Sequence, residues 1–152
     1  MTTLIAFKRI VDSVTTHTLR LPDAPQGQQA GQELCTLPDG RTVVALFDGF
    51  TLPASQPDAI KDSIQTLTLT PEIKAQIKSL SPQVELINAL MLQKIRDVYT
   101  TDDEAFFSRI GVGVALGVYV FGAGEQAALL AFGAYVEGVR KWGRSQRAAL
   151  GL

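Results

Sequence analysis

The chain has few of the side chains that most site chemistry requires. Its 152 residues include one histidine, His17, and one cysteine, Cys35. A lone cysteine cannot close an intramolecular disulfide, which excludes a disulfide-stapled secreted scaffold. Nor can one cysteine and one histidine fill a structural zinc site, which takes four such ligands. No metal or cofactor is therefore expected. A catalytic thiol or a Ser-His-Asp triad would have to recruit His17, and no Gly-x-Ser-x-Gly elbow is present. An excess of charge of either sign is also missing. The 14 Lys+Arg against 15 Asp+Glu leave a net charge of −1, without the basic surplus of a nucleic-acid binder.

Long hydrophobic runs are scarce. The uncharged stretch from Ile110 to Gly124 is bracketed by Arg109 and Glu125 and is shorter than the roughly 20 apolar residues of a spanning helix. It predicts a buried element or a subunit contact, and no membrane segment. The start, Met1-Thr-Thr-Leu-Ile-Ala-Phe-Lys-Arg9, places its charges after the apolar run, the reverse of a signal peptide. Synthesis in the cytoplasm is the expectation. Hydrophobic residues make up 46% of the chain and charged residues 19%, which predicts a packed core rather than disorder. The length suits one domain.

Charge does not divide the chain, because residues 1–52 carry 4 basic and 5 acidic side chains and residues 53–152 carry 10 of each. Texture does divide it. Thr2 to Leu21 is rich in β-branched residues and reads as extended. Pro22 to Gly31 holds two prolines, two glycines and three glutamines and reads as an exposed loop. Leu34 to Leu37 and Arg41 to Phe47 flank Pro38-Asp39-Gly40, which predicts a hairpin. Asp48-Gly49 adds a turn, so a small meander ending near Leu52 is expected. Asp39 and Asp48 read first as turn formers, with a catalytic or metal pair as the lesser alternative. Cys35, in Glu33-Leu-Cys-Thr-Leu37, reads as a buried small hydrophobe.

Beyond residue 53, prolines mark helix starts. Pro57-Asp58 opens one, with Ile60 and Ile64 on one face. Thr70-Pro71 opens a second, with Ile73, Ile77 and Leu80 as its stripe. Ser81-Pro82 opens a third that runs to Tyr99. Its apolar positions Val84, Leu86, Ile87, Leu90, Met91, Leu92, Ile95 and Val98 make a stripe wide enough to predict burial on more than one side. Thr101-Asp102-Asp103-Glu104 fits a capping box built on Thr101 and Glu104, with its acids at the positive end of the helix dipole. A last helix is predicted from Gly124-Glu125 to about Ala148. Leu129, Phe132, Val136 and Val139 lie along one face, with Trp142 close by and Arg140, Lys141, Arg144 and Arg147 towards its end. Gly111, Gly113 and Gly117 do not make a dinucleotide fingerprint, because Leu116 stands where the third glycine belongs. They predict close packing or a helix break.

These readings combine into an α+β fold: a small N-terminal antiparallel β region at 1–52, then a helical region at 53–152. No residue is assigned to catalysis, cofactor or metal. The candidate interface is Leu90, Met91, Ile95 and Trp142.

Two stretches carry a resemblance. Leu92-Gln-Lys-Ile-Arg-Asp-Val-Tyr-Thr-Thr-Asp-Asp-Glu104 and Tyr135-Val-Glu-Gly-Val-Arg-Lys-Trp-Gly-Arg144, with the closing Arg147 to Leu152, resemble small structural proteins of tailed-bacteriophage tails, found at tail fibres and baseplates. Leu37-Pro-Asp-Gly-Arg-Thr-Val-Val-Ala-Leu46 is similar to a short β module of such proteins. The glycine-rich stretch 111–124 lies outside the resemblance. The resemblance implies a non-enzymatic virion subunit, made in the host cytoplasm. Its partners would be other phage tail proteins and copies of itself, not nucleic acid or membrane. Two alternatives stay open: a tail or tail-fibre assembly chaperone absent from the mature particle, and a small intracellular protein-binding module.

Overall fold

A computed structural model describes all 152 residues and shows an α+β protein, with an antiparallel sheet from the N-terminal part and helices in the C-terminal part. The chain forms two compact units, residues 1–86 with 146–152, and residues 87–145.

The first unit is built on four antiparallel strands: β1 (Thr3–Lys8), β4 (Gly31–Thr36), β5 (Arg41–Leu46) and β6 (Gln65–Thr66), in the order β4-β5-β1-β6. The hairpin foreseen around Pro38-Asp39-Gly40 joins β4 to β5, with Gly40 at φ +83°, a conformation other residues rarely take. The sheet is not a simple meander, because β1 inserts between β5 and β6, and β6 lies beyond residue 52. The extended stretch Thr2 to Leu21 is also broken. After β1 it forms a separate small ribbon of β2 (Ile10–Val11) and β3 (Thr16–His17). Asp12 makes that turn, its Oδ1 accepting from the Val14 and Thr15 amides at 3.1 and 2.8 Å, which is what a short acidic side chain does at a turn.

Leu4 to Phe7 of β1 and Thr42 to Leu46 of β5 are buried without alternation, so both faces of the central strands are covered. The register pairs Ile5 with Val44 and Thr3 with Leu46. Ile5, Phe7, Val44 and Leu46 therefore share one face and form a core with Leu19 and Ile60. On the other face Gly151 lies against Leu4, and the Thr2 hydroxyl donates to the Ala149 carbonyl at 2.9 Å. Leu34 is the extra residue of a bulge between Glu33 and Cys35. Both Leu34 and Cys35 are buried. Beyond β5 come α1 (Asp58–Lys61) and α2 (Pro71–Leu80). Thr70 caps α2 through the Ile73 amide, Ile77 is fully buried, and α2 lies against β4. The Gln56 side-chain amide takes the Arg20 N–H and donates to the Arg20 carbonyl, both at 3.0 Å, which holds the chain beside buried Leu19.

The remaining helices are α3 (Pro82–Arg96), α4 (Thr101–Ala115) and α5 (Glu125–Ala149). Residues 87–145, the second unit, are organised by rings. Tyr99 meets Phe107, Phe132 and Tyr135 edge-on at 6.0, 5.0 and 5.7 Å, and Phe107 stacks on Phe132 at 5.1 Å, geometries that aromatic quadrupoles favour. The capping box of α4 is shifted by one residue from its expected position. Thr100, not Thr101, is the N-cap, and its partner is Asp103, not Glu104. The Thr100 hydroxyl accepts from the Asp103 amide at 3.1 Å, and the Asp103 carboxylate accepts from the Thr100 amide at 2.8 Å. Tyr99 explains the choice. It is fixed among the rings, so the helix begins at the first residue after it that can cap.

The wide stripe of α3 is not buried on several sides. Val84 and Ile87 are buried, whereas Leu86, Leu92 and Val98 are exposed. The buried-element reading of 110–124 also fails. Ile110 is buried, but α4 ends at Ala115 with Leu116 as its C-cap, Gly117 turns at φ +72°, and residues 118–124 are exposed except for the half-buried Phe121. No helix is long and apolar enough to cross a membrane.

Candidate functional site

Several ionisable side chains of the β region are occupied locally. His17 Nε2 lies 3.0 Å from Asp12 Oδ2 across the β2–β3 turn. The turn amides, Val14 first, and then His17 hold the Asp12 carboxyl below its ordinary range. Asp39 is held low by the Arg41 guanidinium at 2.6 Å. Asp48 is held low by the Met1 amino group at 2.5 Å. The two aspartates serve separate partners and form no pair. Burial raises the Cys35 thiol. No three His, Cys, Asp or Glu side chains converge. An open groove of about 460 Å3 is lined in part by Lys8, Arg41, Asp62 and Ser63. Lys8 and Arg41 are register partners there, but the Arg41 guanidinium is engaged by Asp39 and the Ser63 hydroxyl accepts from the Lys8 amide at 3.0 Å.

The four residues expected at an interface lie in the helical unit, in different surroundings. Leu90 is exposed on α3. Met91 and Ile95 are half-buried. The Met91 sulfur sits where a side chain on Gly143 would be, 2.1 Å from an ideal Cβ, so the absence of a side chain at 143 is what admits it. Trp142 is half-buried, with Lys94 Nζ 4.9 Å from its ring centre, a cation–π contact. The Tyr135 hydroxyl donates to the Lys94 carbonyl at 2.8 Å. Lys94, Ala134, Tyr135, Gly138, Val139 and Trp142 thus line a shallow groove of about 420 Å3. Met91 packs against α5 at Gly143 and Trp142 lines the groove with Lys94, whereas Leu90 is exposed. Along α5, Arg144 pairs with Glu137 at 2.5 Å and holds that carboxyl low.

A run of exposed apolar residues lies elsewhere, at the end of α4 and in the loop to α5. Leu116 is 71% exposed, Val118 79% and Val120 88%, with Val112 and Leu130 also largely exposed. The loop is ordered by its own bonds. The Val118 and Tyr119 amides donate to the Gly113 carbonyl at 2.9 and 3.1 Å. The Tyr119 hydroxyl donates to the Glu125 carboxylate at 2.9 Å, which also accepts from the Gly122 amide at 2.7 Å. Donation to Glu125 raises the Tyr119 hydroxyl's pKa. An ideal Cβ on Gly113 would stand 2.8 Å from Tyr119 Cβ, and one on Gly111 would stand 3.6 Å from a Leu129 methyl. The glycines therefore serve as close-packing positions and, at Gly117, as the helix break, while the valines and Leu116 face outward. Sequence reasoning marked this stretch by its lack of charge but not by its exposure. Nothing local in an uncharged Gly- and Val-rich stretch distinguishes a buried element from an exposed one.

Compared with protein families, with curated proteins and with solved structures, the chain matches none.

Proposed function

We propose that the chain is a structural virion protein of a tailed bacteriophage, placed at the tail, baseplate or tail fibre. It acts by protein–protein assembly with other tail proteins and with copies of itself, without catalysing a reaction. It would be made in the host cytoplasm and end in the particle. The resemblance of residues 37–46, 92–104, 135–144 and 147–152 to such proteins supports this reading. The structural observation that carries it is the exposed apolar surface around Leu116, Val118 and Val120, since contiguous exposed apolar area marks interaction surfaces. Energetically, residues that a monomer leaves in water can contribute roughly 25 cal/mol per Å2 when a partner covers them.

The test is mass spectrometry of density-purified particles from the source culture, with copy number measured against the capsid protein. A stoichiometric signal is expected. A protein abundant in the lysate but missing from intact particles would overturn the virion assignment in favour of an assembly chaperone.

A further inference from the structure

The end of α4 and the loop after it expose a run of large apolar side chains. Val112, Leu116, Val118, Val120 and Leu130 are each more than half exposed, and Tyr119 more than a third, so several large apolar side chains are open to a partner. These residues are neighbours. Leu116 donates its amide to the Val112 carbonyl, Val118 and Tyr119 donate theirs to Gly113, and Leu129 against Gly111 places the start of α5, and Leu130 with it, beside the end of α4.

We infer that this surface, formed by the end of α4, residues 116–120 and the start of α5, is where a second copy of the chain docks. Exposure is the first argument. Charge is the second. No Lys, Arg, Asp or Glu occurs from Ile110 to Gly124. In a two-fold contact the same patch meets itself, so any charge within it would face its own kind, and this patch has none to repel. A lipid surface fits less well, because interfacial apolar segments rely on surrounding Lys and Arg, which this stretch lacks. The third argument is order. The Tyr119–Glu125 and Gly122–Glu125 bonds fix the loop before any partner arrives, which lowers the cost of association. The inference deepens the assembly reading by naming one contact within it, yet it stands on solution behaviour alone.

The experiment is sedimentation velocity of the purified full chain from micromolar to near-millimolar concentration, beside the double variant Val118→Asp/Val120→Asp. The wild type should sediment at twice the 16.4 kDa chain mass or above, with the variant at the monomer mass and circular dichroism unchanged. Both side chains are exposed, so the substitutions leave the core alone. In a second measurement Val120→Cys should form an intermolecular disulfide under mild oxidation, since the other cysteine is buried. A wild type that stays monomeric throughout, or an oligomer that persists in the double variant, overturns the inference. So does a monomer that floats with phosphatidylcholine–phosphatidylglycerol vesicles and loses that binding in the variant, which would give the surface to lipid. None of these outcomes alters whether the protein is found in particles, so the two readings fail independently.

Discussion

Three glycines on α5 allow one substitution to be read in three surroundings. Gly133, Gly138 and Gly143 all lie inside the helix, where Gly→Ala gains about 0.8–1 kcal/mol of helix propensity. At Gly133 and Gly138 an added Cβ meets nothing within 4 Å, so the gain should appear undiminished. At Gly143 the Cβ would stand 2.1 Å from Met91 Sδ, 3.0 Å from its Cε and 3.1 Å from its Cγ. The whole end of that side chain must leave its seat. Methionine is flexible enough to go, but the lost packing belongs to the overpacking range of about 1–3 kcal/mol. Gly143→Ala should therefore be less stable than Gly133→Ala by roughly 1–3 kcal/mol. Urea unfolding followed by the fluorescence of Trp142, the sole tryptophan, and by circular dichroism measures the difference. In a Met91→Ala background the obstruction is gone, and Gly143→Ala should turn favourable, giving a coupling energy of about 1–3 kcal/mol in a double-mutant cycle. If Gly143→Ala stabilised the wild type as much as Gly133→Ala does, the close seat of Met91 would be refuted.

Gly31→Ala should destabilise the sheet by about 1–3 kcal/mol, because its Cβ would lie 2.5 Å from the Ala45 carbonyl oxygen, a backbone atom that cannot swing away. Thermal melting should show a drop of roughly 2–4 °C per kcal/mol. Thr100→Ala should cost about 1 kcal/mol through its cap, whereas Thr101→Ala should be nearly neutral in the same chemical denaturation; the reverse order would restore the Thr101 register. The carboxyls of Asp12, Asp39, Asp103 and Glu137 are held below their ordinary values by the Val14 amide, the Arg41 side chain, the Thr100 hydroxyl and the Arg144 side chain respectively. A lowered folded-state value means stability that is present above the unfolded pKa and lost as pH falls through the folded one. The melting temperature should be level from pH 7 to about 5 and fall below about 4; a rise on acidification would contradict the assignment.

Much of the fold was legible where one residue type leaves a single option. Pro38-Asp39-Gly40 allows little but a turn, Pro71 and Pro82 begin α2 and α3, and the bounds of α5 were readable from Gly124 to about Ala148. The rest was hidden for physical reasons. Two threonines followed by three acids offer two capping registers, and the choice was made by Tyr99, whose ring partners at 107, 132 and 135 are remote in sequence. The two-residue strand β6 is too short to carry a period. Strand order depends on which edge of β5 receives β1, and nothing local in Leu4 to Phe7 specifies that. At the candidate site, helical periodicity put Met91 among the apolar positions of the third helix and Trp142 close to the stripe of the last. It could not show that Gly143 makes room for Met91, or that the uncharged stretch after Ile110 faces water.

The strip of residues 146–152 belongs with the β-rich unit, where Thr2 bonds to Ala149 and Leu4 meets Gly151. During synthesis, β1 therefore emerges from the ribosome long before the segment that covers it. At roughly 5–20 residues per second, the apolar face of Leu4 waits some seconds for its cover, while residues 87–145, whose ring partners all lie within that span, can settle first. The nascent chain would pass through a stage in which the sheet still lacks its last segment. During that interval a chaperone, or an early partner, could act on the sheet.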